Sequence, residues 1–321
     1  MMAQTSLFDL SDCTLCPREC HADRTSGRLG FCQTPGVLTA ARAAKLYYEE
    51  PCISGKAGSG AVFFSGCSLG CTFCQNYDLS RGEKGAHSIS REISPEHLSE
   101  IFFSLEEQGA SNVNLVTASH LLPLVIPALS LAKTKGLRIP VVYNTSSYEK
   151  VEAIQALEGL VDIYLPDLKF FDPALSRRYC SAPDYFDRAS AVIREMVRQC
   201  PEPVFADGSH VLDEEDDADD PLMLRGVIVR HLCMPGCTED SKQILSWLHD
   251  TFGDRIFVSI MNQYTPMPQC SEDPLLSRPL SAKEYDEVTD YAVEIGIENG
   301  FLQEGGTVSK SFIPSFDGTG I

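Results

Sequence analysis

The sequence predicts an α/β protein: a parallel sheet curled into a partial (β/α)6, TIM-like barrel, carried behind a cysteine-rich N-terminal extension. Three observations predict it. Six short apolar runs between residue 60 and about residue 260 are each followed by a helical stretch. The runs are continuously rich in Val, Ile and Leu rather than alternating, as strands buried on both faces are. Polar residues gather just past nearly every run, and barrels collect functional groups at the ends of many strands, whereas open sheets use one crevice.

In chain order, residues 1–58 are rich in Cys, Gly, Arg and Pro and show little periodicity, which suggests an extension organised by metal rather than by an apolar core. Ala61–Ser65 is the first strand, stopped by Gly66. Ser94 caps a helix with Pro95 at its first position and Glu96 in its first turn, running to Gly109. Asn112–Val116 is the second strand, and its helix ends at Gly136. Ile139–Tyr143 is the third, backed by Glu149–Leu157; Val161–Leu165 is the fourth, backed by helices over 173–180 and 187–199. Gly226–Arg230 is the fifth, with a helix near 239–251, and Ile256–Ile260 the sixth, with a last helix over 281–295. The barrel is thus expected over 59–300 and a C-terminal tail over 301–321. Past the strands stand Ser119 and His120, Asn144 and Thr145, Asp167 and Lys169, Arg230 and His231, and Asn262 and Gln263.

Bulk composition narrows the function. A formal net charge of −19 argues against a nucleic-acid partner, which needs a basic patch. Residues 213–220 read DEEDDADD, a self-repelling run expected to be a solvated, disordered loop. No apolar run approaches the length that spans a bilayer, and Met1–Asp12 has neither a basic nor an apolar stretch, so the chain reads as cytoplasmic, without a membrane partner. Thirteen cysteines in such a chain point to metal or redox chemistry rather than disulfides.

The strongest signal is GCSLGCTFCQN over 66–76, directly after the first strand. Cys67, Cys71 and Cys74 stand four and three residues apart on a loop, a spacing that wraps one corner of a cube. Each thiolate binds one iron of a [4Fe–4S] cluster, and three ligands for four irons leave one iron open for chemistry. A structural zinc site would need a fourth ligand, and none stands at finger-like spacing after Cys74. Three unrelated buried thiols is the bland alternative.

With an aromatic just before its last cysteine, this motif resembles the signature of the radical S-adenosylmethionine (SAM) superfamily. Further blocks, CTLCPREC (13–20), GFC (30–32), NVNLVT (112–117), VVYNTS (141–146), VDIYLPDLK (161–169), RGVIVRHL (225–232) and MNQY (261–264), resemble its PflX-like branch, related to the activating enzymes of pyruvate formate-lyase. The resemblance implies a barrel of radical SAM type. It further implies that the open iron would chelate the amino and carboxylate groups of SAM and that one electron, expected from a flavodoxin or ferredoxin, would cleave it. The 5′-deoxyadenosyl radical so formed would take hydrogen from a protein, peptide or other substrate. It also implies roles: Cys67, Cys71 and Cys74 as cluster ligands, Phe73 near the adenine, and Lys169 beside Asp167 at the SAM carboxylate. Where many relatives carry a Gly-Gly-Glu segment for the SAM amino group, this chain has VTASH over 116–120, which leaves Thr117 and Ser119 as candidates. Asn144, Arg230, His231, Asn262 and Gln263 are expected at the mouth. For each of these the bland reading is a packed aromatic, a solvated ion pair or a satisfied core histidine.

Cys13, Cys16, Cys20 and Cys32 form C-x2-C-x3-C-x11-C, four soft ligands that suit either Zn or a second [4Fe–4S] cluster. Cys52 is given no role, and Cys180, Cys200, Cys233, Cys237 and Cys270 read as buried or free thiols. Three functions compete: a hydrogen-abstracting enzyme like the glycyl-radical activating enzymes, a radical SAM enzyme that modifies peptides or transfers methyl groups, and a non-catalytic iron–sulfur or zinc module.

Overall fold

Six parallel strands carry the architecture, and each coincides with an apolar run read from the sequence. In a computed structural model, which describes residues 7–81, 89–209, 221–303 and 316–321, the elements in chain order are as follows. β1 (Thr39–Leu46), α1 (Pro51–Ser54), β2 (Ser59–Phe64), α2 (Tyr77–Ser80), β3 (Arg91–Glu92), α3 (Pro95–Glu107), β4 (Val113–Val116) and α4 (Leu122–Thr134) come first. β5 (Val141–Thr145), α5 (Val151–Gln155), β6 (Ile163–Pro166), α6 (Pro173–Cys180) and α7 (Tyr185–Gln199) follow. β7 (Val204–Phe205), β8 (Met223–Leu232), α8 (Thr238–Phe252), β9 (Phe257–Met261), α9 (Ala282–Glu294) and β10 (Gly300–Leu302) complete the described order.

The sheet runs β10-β9-β8-β6-β5-β4-β2-β1-β3, parallel from β10 to β2. Strand order follows chain order, the sign of repeated right-handed βα units laid side by side. The sheet is therefore the expected partial barrel. β2, β6 and β9 are buried at every position, which explains their unbroken apolar runs. The main core lies between the strands and the helices, with Phe102, Leu129, Ile193 and Leu245 wholly buried. A second cluster packs Cys52 and Ile53 of α1 against Val142, Ile163, Leu165, Ile228 and Phe257 of four strands. Cys52 is thus a core residue.

The ends of the chain are tied to the sheet. β1 lies inside the stretch read as a cysteine-rich extension, yet it pairs antiparallel with β2 from Ala40↔Phe64 to Leu46↔Ser59, so a boundary at residue 58 falls within a hairpin. β10 straddles the boundary at 300 and adds a seventh parallel strand beside β9. At the other side, Gly318 N donates to the Ala41 carbonyl at 3.0 Å and Ala43 N to that of Thr319 at 2.9 Å. The acidic run 213–220 lies outside the described residues. Among the described residues no helix is long and apolar enough to cross a membrane.

Candidate active site

Past β2 the chain turns at Gly66, whose φ of +87° favours glycine and where a Cβ would lie 2.4 Å from the Cys32 carbonyl oxygen. The loop that follows brings Cys67, Cys71 and Cys74 to the wall of a cavity of about 270 Å³, lined by the C-terminal ends of β2, β4, β5, β6, β8 and β9. Leu69 N donates to Cys67 Sγ at 3.4 Å and Ser80 Oγ to Cys74 Sγ at 3.5 Å, while the Cys180 thiol stands 3.5 Å from Cys71 Sγ. Burial pushes the Cys67 thiol up and that of Cys74 to about 12. The Cys180 contact, and after it burial, pushes Cys71 well above the usual thiol range. All three are therefore protonated at neutral pH and release protons when a metal binds.

Other strand ends furnish the rest of the wall. Lys169 Nζ meets Asp167 Oδ2 at 2.6 Å, with side chains 16% and 21% exposed. Burial opposes the Lys169 charge, but Asp167, and then Cys71, outweigh it and hold its pKa well above normal. The Tyr185 hydroxyl fixes this segment, accepting from Lys169 N at 3.1 Å and donating to the Asp167 carbonyl at 2.9 Å. Thr117 lines the cavity with φ +60°, a strained conformation for a β-branched residue that costs on the order of 1–3 kcal/mol. It is pinned by Thr117 N donating to the Asn144 carbonyl at 2.9 Å. Phe73 is buried edge-on to Phe170, ring centroids 5.9 Å apart, and borders the same space.

Arg230 also lines the cavity, but Glu49 and Glu50 hold it: Nε donates to Glu50 Oε1 at 2.8 Å, and Nη2 pairs with both carboxylates. Burial works to raise the Glu50 pKa, and Arg230 overcomes it and leaves the carboxyl below its ordinary value. The structure thus gathers Cys67, Cys71, Cys74, Phe73, Thr117, Asn144, Asp167, Lys169, Arg230 and Gln263 around one space. It does not bring Ser119, His231 or Asn262 there. Ser119 is buried in a 3-10 turn over Ser119–Leu121, and Asn262 Nδ2 donates to the Gln303 carbonyl at 2.9 Å. His231 follows Arg230 on β8, so its side chain leaves by the opposite face, bonding the Leu168 carbonyl and Ser241 Oγ, each at 2.8 Å. Sequence reasoning missed Tyr48, Glu49 and Ser146 on the wall. No local pattern links Glu49 to a strand end 181 positions away.

A family model for the radical SAM superfamily matches residues 61–225, just over half of the chain. The chain belongs to the radical SAM superfamily. Radical SAM enzymes use a [4Fe–4S] cluster and SAM and draw an electron from a donor, so membership of the superfamily implies a SAM-dependent redox enzyme. The residues present fit those groups: three thiols share a wall with a buried-stem lysine, and the strand ends leave room between them. Among the described residues no three Cys, His, Asp or Glu side chains are grouped as ligands of a single ion; a cube asks each thiol to meet a different iron.

Uncharacterized protein MJ0674 of Methanocaldococcus jannaschii is 27% identical over 296 residues, 89% of this chain and 76% of its own length. Among solved structures, Streptococcus suis SuiB bound to SAM is 12% identical with a TM-score of 0.47, over 74% of this chain and 48% of SuiB. The chain spans about half the length of that protein. The FeFe-hydrogenase maturase HydG from Carboxydothermus hydrogenoformans gives a TM-score of 0.48 at 12% identity, over 79% of this chain and 59% of HydG. A domain of a pyruvate-formate lyase-activating enzyme from Bacteroides vulgatus gives 0.38 at 12% identity, over 57% of this chain and 92% of the domain.

Proposed function

We propose that this radical SAM protein abstracts a hydrogen atom from a protein or peptide, in the manner of the glycyl-radical activating enzymes, with Cys67, Cys71 and Cys74 holding the cluster. One observation carries the reading: the three-thiol loop and the Lys169–Asp167 pair, 93 positions apart in sequence at their closest, face one cavity. When bound there, the cluster and SAM supply a 5′-deoxyadenosyl radical. The chain's own residues bind and orient. The Lys169 ammonium, paired with Asp167, would meet the SAM carboxylate. Thr117 and Asn144 offer hydrogen-bonding groups to the SAM amino group and ribose, and the strain held at Thr117 supports a binding role. Phe73 offers an apolar edge to the adenine. Arg230, already balanced by two carboxylates, shapes the far wall rather than carrying a free charge. The exposed Tyr48 on the rim supports a substrate as large as a peptide. A flavodoxin or ferredoxin is the proposed electron donor.

Anaerobic reconstitution with iron and sulfide, then reduction with SAM present, is expected to yield 5′-deoxyadenosine. Lys169→Met should keep the cluster and lower SAM affinity tenfold or more, the loss of about 1.4 kcal/mol or more of a charge-assisted contact. A reduced, loaded cluster that leaves SAM intact would sink the proposal.

A further inference from the structure

Behind the cavity, a cysteine from outside the three-thiol loop touches it. Cys180, the last residue of α6, is wholly buried, and its Sγ stands 3.5 Å from Cys71 Sγ across 109 positions of sequence. Backbone contacts hold the pair face to face. Thr72 N donates to the Tyr179 carbonyl at 2.9 Å, and Thr72 Oγ1 reaches the same oxygen at 3.4 Å. Thr72 follows Cys71 and Tyr179 precedes Cys180, so this bond sets the two cysteines opposite one another, as in an antiparallel pair. Arg18 adds a second clasp, its Nη2 donating to the carbonyls of Leu69 (2.8 Å) and Cys180 (3.1 Å). The other loop thiols are engaged elsewhere. Cys67 N donates to the Cys32 carbonyl of the arm at 3.3 Å, and Cys74 Sγ accepts from Ser80 Oγ at 3.5 Å.

A buried thiol ordinarily serves as a small hydrophobe. This one meets another sulfur, and exposure divides their parts. Cys71 lines the cavity of about 270 Å³ and is open to a small oxidant, whereas Cys180 is sealed behind it. A cysteine that leaves iron leaves as a thiolate, the form that attacks peroxide. Its first product is a sulfenic acid. A neighbouring thiol condenses that acid to a disulfide; without one, oxidation continues to the irreversible sulfinic acid.

We infer that Cys71 and Cys180 form a reversible disulfide when the loop holds no iron, a modification that guards Cys71 and blocks reloading until it is reduced. Peroxide as oxidant closes the balance. The Cys71 sulfur attacks one peroxide oxygen, the O–O bond breaks, and water departs, leaving a sulfenic acid on Cys71. The Cys180 sulfur then attacks the Cys71 sulfur. The S–O bond breaks, the S–S bond forms, and the hydroxyl takes the Cys180 proton and leaves as a second water. Two thiols lose two electrons in all, and one peroxide gains them. A dithiol reverses the step by exchange.

Peptide mapping tests the pair on the metal-free chain, so the outcome is independent of SAM cleavage and of the proposed function. The full chain is stripped with chelator under anaerobic conditions, treated with hydrogen peroxide, alkylated without reductant and digested. A linked pair of peptides carrying Cys71 and Cys180, separated by dithiothreitol, is expected in most chains. Cys71 joined to Cys67 or Cys74, or carried as sulfinic acid with Cys180 alkylated, overturns the inference. Cys180→Ser supplies a second reading. At the same peroxide dose its Cys71 should collect at least several-fold more sulfinic acid than the parent's. Dithiothreitol should then restore iron uptake to the oxidised parent and not to the oxidised variant. Equal sulfinic acid in both chains, or equal recovery of iron uptake, overturns the inference as well. Should the variant not fold, the mapping of the unaltered chain decides.

Discussion

On a strand one position is a reversal of face, and Arg230 and His231 show what that decides. Arg230 reaches the cavity; His231 enters the helix side, 1% exposed, with both ring nitrogens hydrogen-bonded. Burial, more than any neighbouring charge, drops the His231 pKa to about 4. The sign follows from linkage. Between that value and the ordinary one near 6.5 the unfolded chain binds a proton that the folded chain refuses. Stability is therefore complete above about pH 6.5 and is lost as pH falls toward 4, by up to about 3 kcal/mol from this residue. Anaerobic denaturant titrations at several pH values should show that slope, and His231→Gln should flatten it while leaving SAM binding alone. A variant with the parent's full acid slope would contradict the assignment. Polar identity and position past a strand were legible in the sequence; the face was not, because register is set by the neighbouring strands.

Among the elements, capping chemistry was the most readable. Ser94 accepts from His97 N as the N-cap of α3, with Pro95 next, as the residue order predicts. At α9, Ser281 accepts from Glu284 N at 3.3 Å while Ser281 N donates to Glu284 Oε2 at 3.0 Å, a complete capping box. Arg278 forks the same carboxylate at 2.7 and 2.8 Å and is the first cause of a Glu284 pKa well below normal; Gly236 N adds a bond at 2.8 Å. Ser281→Ala should lower stability by about 1 kcal/mol, seen as a shifted denaturation midpoint at unchanged slope. A shift near zero would mean that Arg278 and Gly236 alone hold the helix start. β1 was the element hidden from reading: TAARAAKL has a weak apolar pattern, and alanines gain strand structure here only by pairing with β2 and packing beneath Phe63 and Leu79.

Across the whole molecule, arginines lock the arm to the barrel. Arg18 donates to the carbonyls of Ser68 (2.9 Å), Leu69 (2.8 Å), Cys180 (3.1 Å) and Ser181 (2.5 Å), and its guanidinium lies 3.7 Å from the Phe31 ring centroid. It therefore clamps the three-thiol loop to α6 and to the arm at once. Arg18→Ala should free the arm, giving faster limited proteolysis ahead of residue 39, and should raise iron loss from the Cys67 loop under chelator at least several-fold. Unchanged proteolysis and chelation rates would show that the Cys32–Cys67 hydrogen bond is enough. Glu49 and Glu50 work over the same range, leaving the hairpin that follows β1 to neutralise Arg230 on β8.

The amino-acid sequence by itself determined six buried strands, their helices and the cysteine triplet, because each is written in neighbouring residues: apolar runs, caps, and cysteines on one loop. Tertiary structure alone decided which strand-end groups share the cavity, which carboxylates hold Arg230, and how a cysteine arm meets the barrel. Those outcomes rest on contacts between segments as far as 181 and 188 positions apart, where strand register and burial, not local spacing, choose the partners.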